Sequence, residues 1–193
     1  MWPRDHAAVA YLLVSALHRG RSRHPPGRRV GVVALFAGVL PDLIDKPLSW
    51  GVGLLPTGRS LGHSLLVAVP AVLLLLLLGV ALHRRREAVA FGVGYLSHLA
   101  GDVAYPLLLD GELRLGFLLW PVVPAASDDA GAGVSHVAEL VADFLAVLAS
   151  PSGLLYFGVD ALLLGSAAVL WWLDGRTNHS GGSGDETTPT VGR

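Results

Sequence analysis

Apolar residues fill three long stretches of this chain. Residues 60–82 include no Asp, Glu, Lys or Arg, and the second part of that stretch is almost entirely aliphatic. Residues 88–109 and 154–173 are equally apolar apart from three isolated ionisable side chains. Stretches of this length can cross a hydrocarbon core of about 30 Å. The pattern therefore predicts three membrane-spanning helices, of which 60–82 has the strongest signal.

Two shorter apolar segments, 7–17 and 30–40, precede these stretches. Each is below the minimum of about 17 residues for a span, so we expect a short helical hairpin or tilted helices. The first segment has an acid before it and arginines after it, which is the wrong polarity for a cleaved signal peptide. Residues 174–193 are rich in Gly, Ser and Thr, which predicts a disordered tail. Residues 1–173 would form one membrane-embedded domain.

The composition supports an all-α, polytopic membrane bundle, because 52% of the residues are hydrophobic and only 15% are charged. There is no cysteine, so a bound metal would need nitrogen and oxygen ligands. The net charge of -1 argues against a nucleic-acid partner. We expect the lipid bilayer itself to be the main partner of this protein.

Five ionisable residues lie in or beside the apolar segments: His6, Asp42, His63, His98 and Asp102. Such a side chain costs a few kcal/mol in hydrocarbon, so it persists where it lines a cavity, pairs or binds a ligand. Imidazole and carboxylate are zinc ligands. His98 and Asp102 are four residues apart, so a helix places both on one face. They could instead form a hydrogen-bonded pair that joins helices.

The basic residues cluster in two turns, 19–29 and 84–86. Positive turns mark the cytoplasmic side, so the five ionisable residues would lie toward the non-cytoplasmic side of the cell membrane. One difference in depth opposes this arrangement. His63 lies farther from its basic turn than His98 does, by roughly 12 Å at 1.5 Å per helical residue. A kink, a tilt or a later helix start would bring the two level.

Several other polar residues have simpler interpretations. Asp45, next to Lys46, is interpreted as a solvated or ion-paired surface group, and Ser64 as a capping or packing residue. His136, Glu139 and Asp143 share one face of a predicted helix. We interpret them as the polar edge of an amphipathic interfacial helix and leave them out of the metal set.

The order of the motifs resembles the membrane-bound, metal-dependent hydrolase family, a distant relative of the zinc-dependent phospholipase C and S1/P1 nuclease fold. The resemblance covers roughly residues 1–125. It is carried by an N-terminal histidine, by Leu40-Pro-Asp-Leu-Ile-Asp45, by the Arg-x-x-x-His-Ser element at 59–64, by Gly94-Tyr-Leu-Ser-His-x-x-x-Asp102, and by Leu119-Trp-Pro121.

This resemblance implies a phospholipase C-like helical core and a ligand set. Asp42, His63, His98 and Asp102 would hold one divalent metal ion, most simply zinc, with His6 close by and reaching a second ion next to Asp102. The resemblance makes His63, His98 and Asp102 the catalytic residues. The chain departs from the family at Gly58 and Gly62, where the family often has histidine and threonine. These two positions offer no side-chain contact to a substrate.

The function expected on this basis is hydrolysis of a phosphoester or other ester of a membrane-associated, lipid-like substrate. Zinc lowers the pKa of bound water from 15.7 to about 7. One alternative is a non-enzymatic metal or proton carrier, and another is a scaffold with a structural metal. A carrier would place polar residues through the whole bilayer depth, whereas a hydrolase would gather them at one end.

Overall fold

The computed structural model describes residues 2–124, 133–148 and 151–180, and within these ranges it is helical without strands. This confirms the all-α prediction. A turn of π-helix, Pro47–Gly51, follows the second α-helix, and a 3-10 turn, Gly116–Leu119, follows the fourth. The α-helices are α1 (Pro3–Ser22), α2 (Arg28–Lys46), α3 (Leu65–Ala81), α4 (Arg85–Asp110), α5 (Gly133–Leu148) and α6 (Pro151–Ser180).

Local sequence sets several of these helix ends. The Ser64 side chain accepts a hydrogen bond from the backbone N–H of Leu66 and caps α3, as predicted for this residue. Gly111 ends α4 in the left-handed conformation at φ 70°, which glycine adopts without steric cost. The helix α3 therefore begins only after His63, and His63 lies in a non-helical segment.

Glycines allow α1, α2 and α4 to approach one another closely. A Cβ added to Gly38 of α2 would lie 2.7 Å from the Cβ of Ala10 and 2.9 Å from the backbone oxygen of His6, both in α1. A Cβ added to Gly94 of α4 would lie 2.7 Å from the backbone oxygen of Ala34 in α2. Small residues at such crossings are typical of helix packing in membranes.

The lengths of the observed helices differ from those of the predicted membrane spans. Of the described residues, Tyr156–Arg176 is the segment long and apolar enough to cross a membrane by length and composition. The predicted span 60–82 contains a helix of only 17 residues, Leu65–Ala81. Conversely, α1 and α2 have 20 and 19 residues, longer than their apolar segments, because polar residues continue both helices.

The predicted start of the tail at Asp174 is also wrong, because α6 continues to Ser180. Asp174 is buried and accepts hydrogen bonds from the hydroxyl groups of Tyr11 and Ser15. It also forms an ion pair with Arg19. These contacts attach α6 to α1. The rest of the predicted tail, 181–193, lies outside the described residues.

Candidate metal centre

Two imidazoles and two carboxylates converge at one point of the bundle. Nε2 of His63 and Nε2 of His98 are 3.0 Å apart. Oδ1 of Asp42 lies 3.6 Å from the first nitrogen and 3.8 Å from the second. Oδ2 of Asp102 lies 3.4 Å and 3.9 Å from the same two atoms. All four side chains are buried.

These side chains come from three distant parts of the chain. Helix α2 provides Asp42, and α4 provides His98 and Asp102 one turn apart. The segment before α3 provides His63, and this segment is fastened to α4 by a 2.6 Å hydrogen bond from the Tyr95 hydroxyl to the backbone oxygen of Gly62. Because His63 does not belong to α3, the difference in depth expected from a continuous helix does not arise.

The ligand atoms of Asp42, His63 and His98 lie close enough to one another for a small divalent cation. Bonds of about 2.0–2.2 Å from nitrogen and oxygen to a tetrahedral zinc ion place neighbouring ligand atoms roughly 3.3 Å apart. The five separations given above range from 3.0 to 3.9 Å. Buried histidine and aspartate groups of this chain can therefore hold a metal ion, Asp42, His63 and His98 among them.

The outer nitrogen of each imidazole is fixed by an acceptor. Nδ1 of His98 lies 2.7 Å from the backbone oxygen of Gly38, which can only accept a hydrogen bond. Nδ1 of His63 lies 2.8 Å from Oδ2 of Asp45. When both Nδ1 atoms donate, both Nε2 lone pairs face the shared point. Histidine ligands of metal ions almost always have such a partner on the other nitrogen.

The interpretation of Asp45 as a surface group is wrong. Asp45 is fully buried, and its carboxylate accepts backbone hydrogen bonds from Ser60, Gly62 and His63 at 2.7, 2.7 and 3.2 Å. A signal for this role exists in the sequence, because residues three apart on a helix share a face and Asp45 is three residues after Asp42. The neighbouring Lys46 instead favoured the interpretation of Asp45 as a surface residue.

Gly62 contributes through its lack of a side chain. A Cβ there would lie 3.0 Å from the backbone oxygen of Pro41 and 3.3 Å from Oδ1 of Asp45. The backbone N–H of Gly62 donates to that same oxygen. The glycine thus lets the segment before α3 lie directly against α2, which brings His63 to the centre.

His6 lies on the other side of Asp102. Its Nε2 is 3.2 Å from Oδ1 of Asp102, and its ring stacks on that of His98 with 3.8 Å between the centroids. Nδ1 of His6 is buried and makes no hydrogen bond in the described structure. His6, His98 and Asp102 form a second group with ligand atoms within 4.8 Å of one another.

Two cations contact the carboxylates of the centre. Nε of Arg59 lies 2.9 Å from Oδ2 of Asp102, and Nζ of Lys46 lies 2.6 Å from Oδ2 of Asp42. The Arg59 and Lys46 side chains are 42% and 27% exposed, whereas the two carboxylates are buried. Two partly exposed cations therefore lie between the buried carboxylates of the centre and the surface.

The neighbouring carboxylates shift the pKa of His63, which lies outside the helices. Burial alone would lower its pKa, but hydrogen bonds to the carboxylates of Asp102, Asp42 and Asp45 raise the pKa to about 10. A proton on the imidazole then provides the positive charge that a metal ion would otherwise provide.

The residues that were left out of the predicted metal set do not join this cluster. Glu139 and Asp143 on α5 are exposed, and they belong to neither group of described residues that can hold a metal. The side chain of His136 lies outside the described part of the structure. Ser64 caps α3, and its hydroxyl donates to the backbone oxygen of Trp120.

A model of the family described as YdjM inner membrane protein matches residues 1–173. None of the curated proteins and none of the solved structures matches the chain. The matched region includes helices α1 to α5, most of α6 and the whole histidine–aspartate cluster. The family description gives a membrane location and leaves the reaction to be inferred from the site.

Proposed function

This chain belongs to the YdjM inner membrane protein family, and we propose that it is a membrane-bound, metal-dependent hydrolase of phosphoesters. One observation supports this most strongly. Two Nε2 atoms and two carboxylates surround one buried point, and the outer nitrogen of each imidazole has a fixed acceptor. Asp42, His63, His98 and Asp102 would be the metal ligands, and a set of two imidazoles and two carboxylates favours zinc.

In this proposal, the residues around the metal site have distinct roles. A zinc ion held there would supply a Lewis acid that polarises a phosphoryl oxygen and acidifies water. Because four protein ligands fill a tetrahedral site, this chemistry requires a fifth coordination position or the release of one of the four residues to act as a base. Asp45 and the backbone oxygen of Gly38 hold the imidazoles of His63 and His98 in one tautomer. His6 orients Asp102 from the opposite oxygen.

The two cations beside the centre support a phosphoester as the substrate class. Lys46 and Arg59 neutralise carboxylates in the metal-free protein. A metal ion takes over part of that neutralisation, which leaves both side chains available to an anionic oxygen. Arginine and lysine stabilise the negative charge of a phosphoryl group during transfer. A neutral carboxyl ester would gain less from them, so the arrangement favours a phosphoester.

The bilayer placement follows from the exposed apolar surface. Helix α3 exposes most of its aliphatic side chains, for example Leu74 at 58% and Leu77 at 69%. The longer α6 exposes Leu162 at 74%. Such surfaces are stable in lipid and costly in water. We therefore propose a polytopic bundle whose basic turns are cytoplasmic and whose metal centre lies toward the other side. A lipid-like substrate would reach it there.

A carrier function has less support. The helices α1, α2 and α4 enclose an apolar cluster of Val14, Val30, Ala34 and Ala90 between the metal centre and the basic turns. A translocation path needs polar groups through the full depth. A scaffold with a structural metal remains the second candidate, because the same ligands would serve it.

The experiment that tests the proposal compares the hydrolysis of a generic phosphodiester and of a carboxyl ester by the zinc-loaded protein in detergent. We expect turnover of the phosphodiester that is lost in His98→Ala together with the metal. Arg59→Gln should retain the metal and lose most of this activity, whereas Arg23→Gln, at the other end of the bundle, should lose none. Stoichiometric metal without turnover of either substrate would favour the scaffold.

A further inference from the structure

A basic cavity lies at the end of the bundle away from the metal centre. It has a volume of about 400 Å³ and is lined by Arg28, Arg29 and Arg86, together with His18 and His24. Helix α1 ends beside it, and α2 and α4 begin there. At 1.5 Å per helical residue, each of these helices separates the cavity from the metal centre by roughly 20 Å. The cavity is thus a separate feature.

The three arginines of this cavity have no carboxylate partner among the residues that the structure describes. Other arginines of the same region are neutralised, since Arg19 pairs with Asp174 and Arg84 pairs with Glu87. None of the ion pairs among the described residues includes Arg28, Arg29 or Arg86. Among the described residues, the one acid lining the cavity is Glu87, the partner of Arg84. The cavity therefore carries an excess of positive charge.

Two helix N-termini add to that charge. The first turns of α2 and α4 both face this end of the bundle, and helix N-termini carry a partial positive charge. His18 and His24, which also line the cavity, each have Nδ1 beside a backbone oxygen, which holds both rings in place next to the arginines. The cavity thus combines fixed charges and helix dipoles that a phosphate would satisfy.

We propose that this cavity binds the phosphate headgroup of an anionic phospholipid. Exposed apolar residues that suit the acyl chains lie close in the chain to the arginines of this cavity. Val80 and Leu82, just before the basic turn at 84–86, are 59% and 67% exposed. Val32, one turn after Arg28 on α2, is 49% exposed. A free phosphate would use the arginines alone, whereas a phospholipid uses the arginines and these apolar residues. The lipid is therefore the occupant that fits both.

This proposal depends on the membrane location of the family and not on the hydrolytic activity. The test measures binding of phosphatidylglycerol and phosphatidylcholine to the full chain in detergent, by native mass spectrometry and lipid titration. The test protein carries Arg28→Gln, Arg29→Gln and Arg86→Gln. A matched control carries Arg21→Gln, Arg23→Gln and Arg85→Gln, which removes the same charge from exposed arginines of the same two turns that do not line this cavity.

We expect the wild type and the control to retain phosphatidylglycerol in preference to phosphatidylcholine, and the cavity variant to lose that preference. An arginine near anionic lipid contributes about fivefold in affinity, so three losses weaken binding by roughly 100-fold. Equal weakening in the two triple variants would overturn the proposal in favour of diffuse charge. So would equal affinity of inorganic phosphate and the lipid for the wild type, because the exposed apolar residues would then contribute nothing.

Metal content and thermal unfolding of each variant show whether it has folded. If the triple variant does not fold, the single variants Arg86→Gln and Arg28→Gln each replace it. Each should weaken phosphatidylglycerol binding about fivefold relative to Arg85→Gln. No difference between these single variants and Arg85→Gln would overturn the proposal.

Discussion

Asp45 accepts a hydrogen bond of 2.8 Å from Nδ1 of His63, and both side chains are fully buried. The same carboxylate accepts three backbone N–H groups of residues 60–63. One residue of α2 therefore positions the entire segment that carries a histidine of the centre. This arrangement connects the fold directly to the metal chemistry, since the imidazole can present Nε2 only while Nδ1 donates.

The first prediction concerns this contact. Asp45→Asn keeps the size of the side chain but removes its charge and turns one acceptor into a donor. We expect zinc affinity to fall about 10- to 100-fold, as found for outer partners of metal-bound histidines. Competition titration with a zinc chelator measures it. The exposed Asp143→Asn is the control, and an unchanged affinity in Asp45→Asn would refute the positioning role.

His6 should contribute to affinity without being required for the metal. It contacts Oδ1 of Asp102, whereas Oδ2 of that residue faces His63 and His98. We expect His6→Ala to keep one metal ion per chain and to bind it roughly tenfold more weakly. Elemental analysis together with the chelator titration measures both quantities. A fall from two ions to one would instead identify His6 as a ligand of a second ion.

Gly38 should tolerate no side chain. Its backbone oxygen accepts from His98, and an added Cβ would lie 2.7 Å from the Cβ of Ala10. We expect Gly38→Ala to destabilise the bundle by about 1–3 kcal/mol through overpacking and to weaken metal binding as His98 shifts. Gly20→Ala, with open space around the new Cβ, should be neutral or stabilising. Thermal unfolding in detergent compares them, and equal behaviour would count against the close approach of α1 and α2.

The pKa of about 10 for His63 predicts opposite pH effects on two quantities. In the unfolded chain this pKa is about 6.5. The protonated imidazole therefore stabilises the metal-free protein fully below about pH 6.5, and this stabilisation is lost as the pH rises toward 10. Metal binding must displace that proton, so zinc affinity rises over the same range. Unfolding and zinc titrations at several pH values test the predicted fall in stability and the predicted rise in zinc affinity. The variant His63→Gln is the control, in which both pH effects should be absent.

The sequence was sufficient to find the four converging side chains. His98 and Asp102 are one helical turn apart, and the order of the motifs added Asp42 and His63. The sequence was insufficient for Asp45, because its adjacent lysine is typical of a surface position and its real partners are backbone groups 15–18 residues away. Contacts of that kind leave no periodic pattern.

The observed helix boundaries also differ from those predicted from the sequence. Hydropathy placed 60–82 in one span because it contains no Asp, Glu, Lys or Arg, but the hydrogen bonds of Gly62 and Ser64 require a non-helical backbone there. Composition likewise placed the start of a disordered tail at Asp174. That residue is held by Tyr11, Ser15 and Arg19 from the other end of the chain, and local composition carries no information about such distant partners.

The metal content of the purified protein tests the central claim most directly. The wild type and the variants His63→Ala and His98→Ala would be loaded with zinc in detergent, freed of excess metal and measured by elemental analysis, with exposed His24→Ala as the control. Our account predicts stoichiometric zinc in the wild type and in His24→Ala, and its loss in the other two variants while their helical content is retained. A wild type without bound metal, or equal metal in all four proteins, would contradict it.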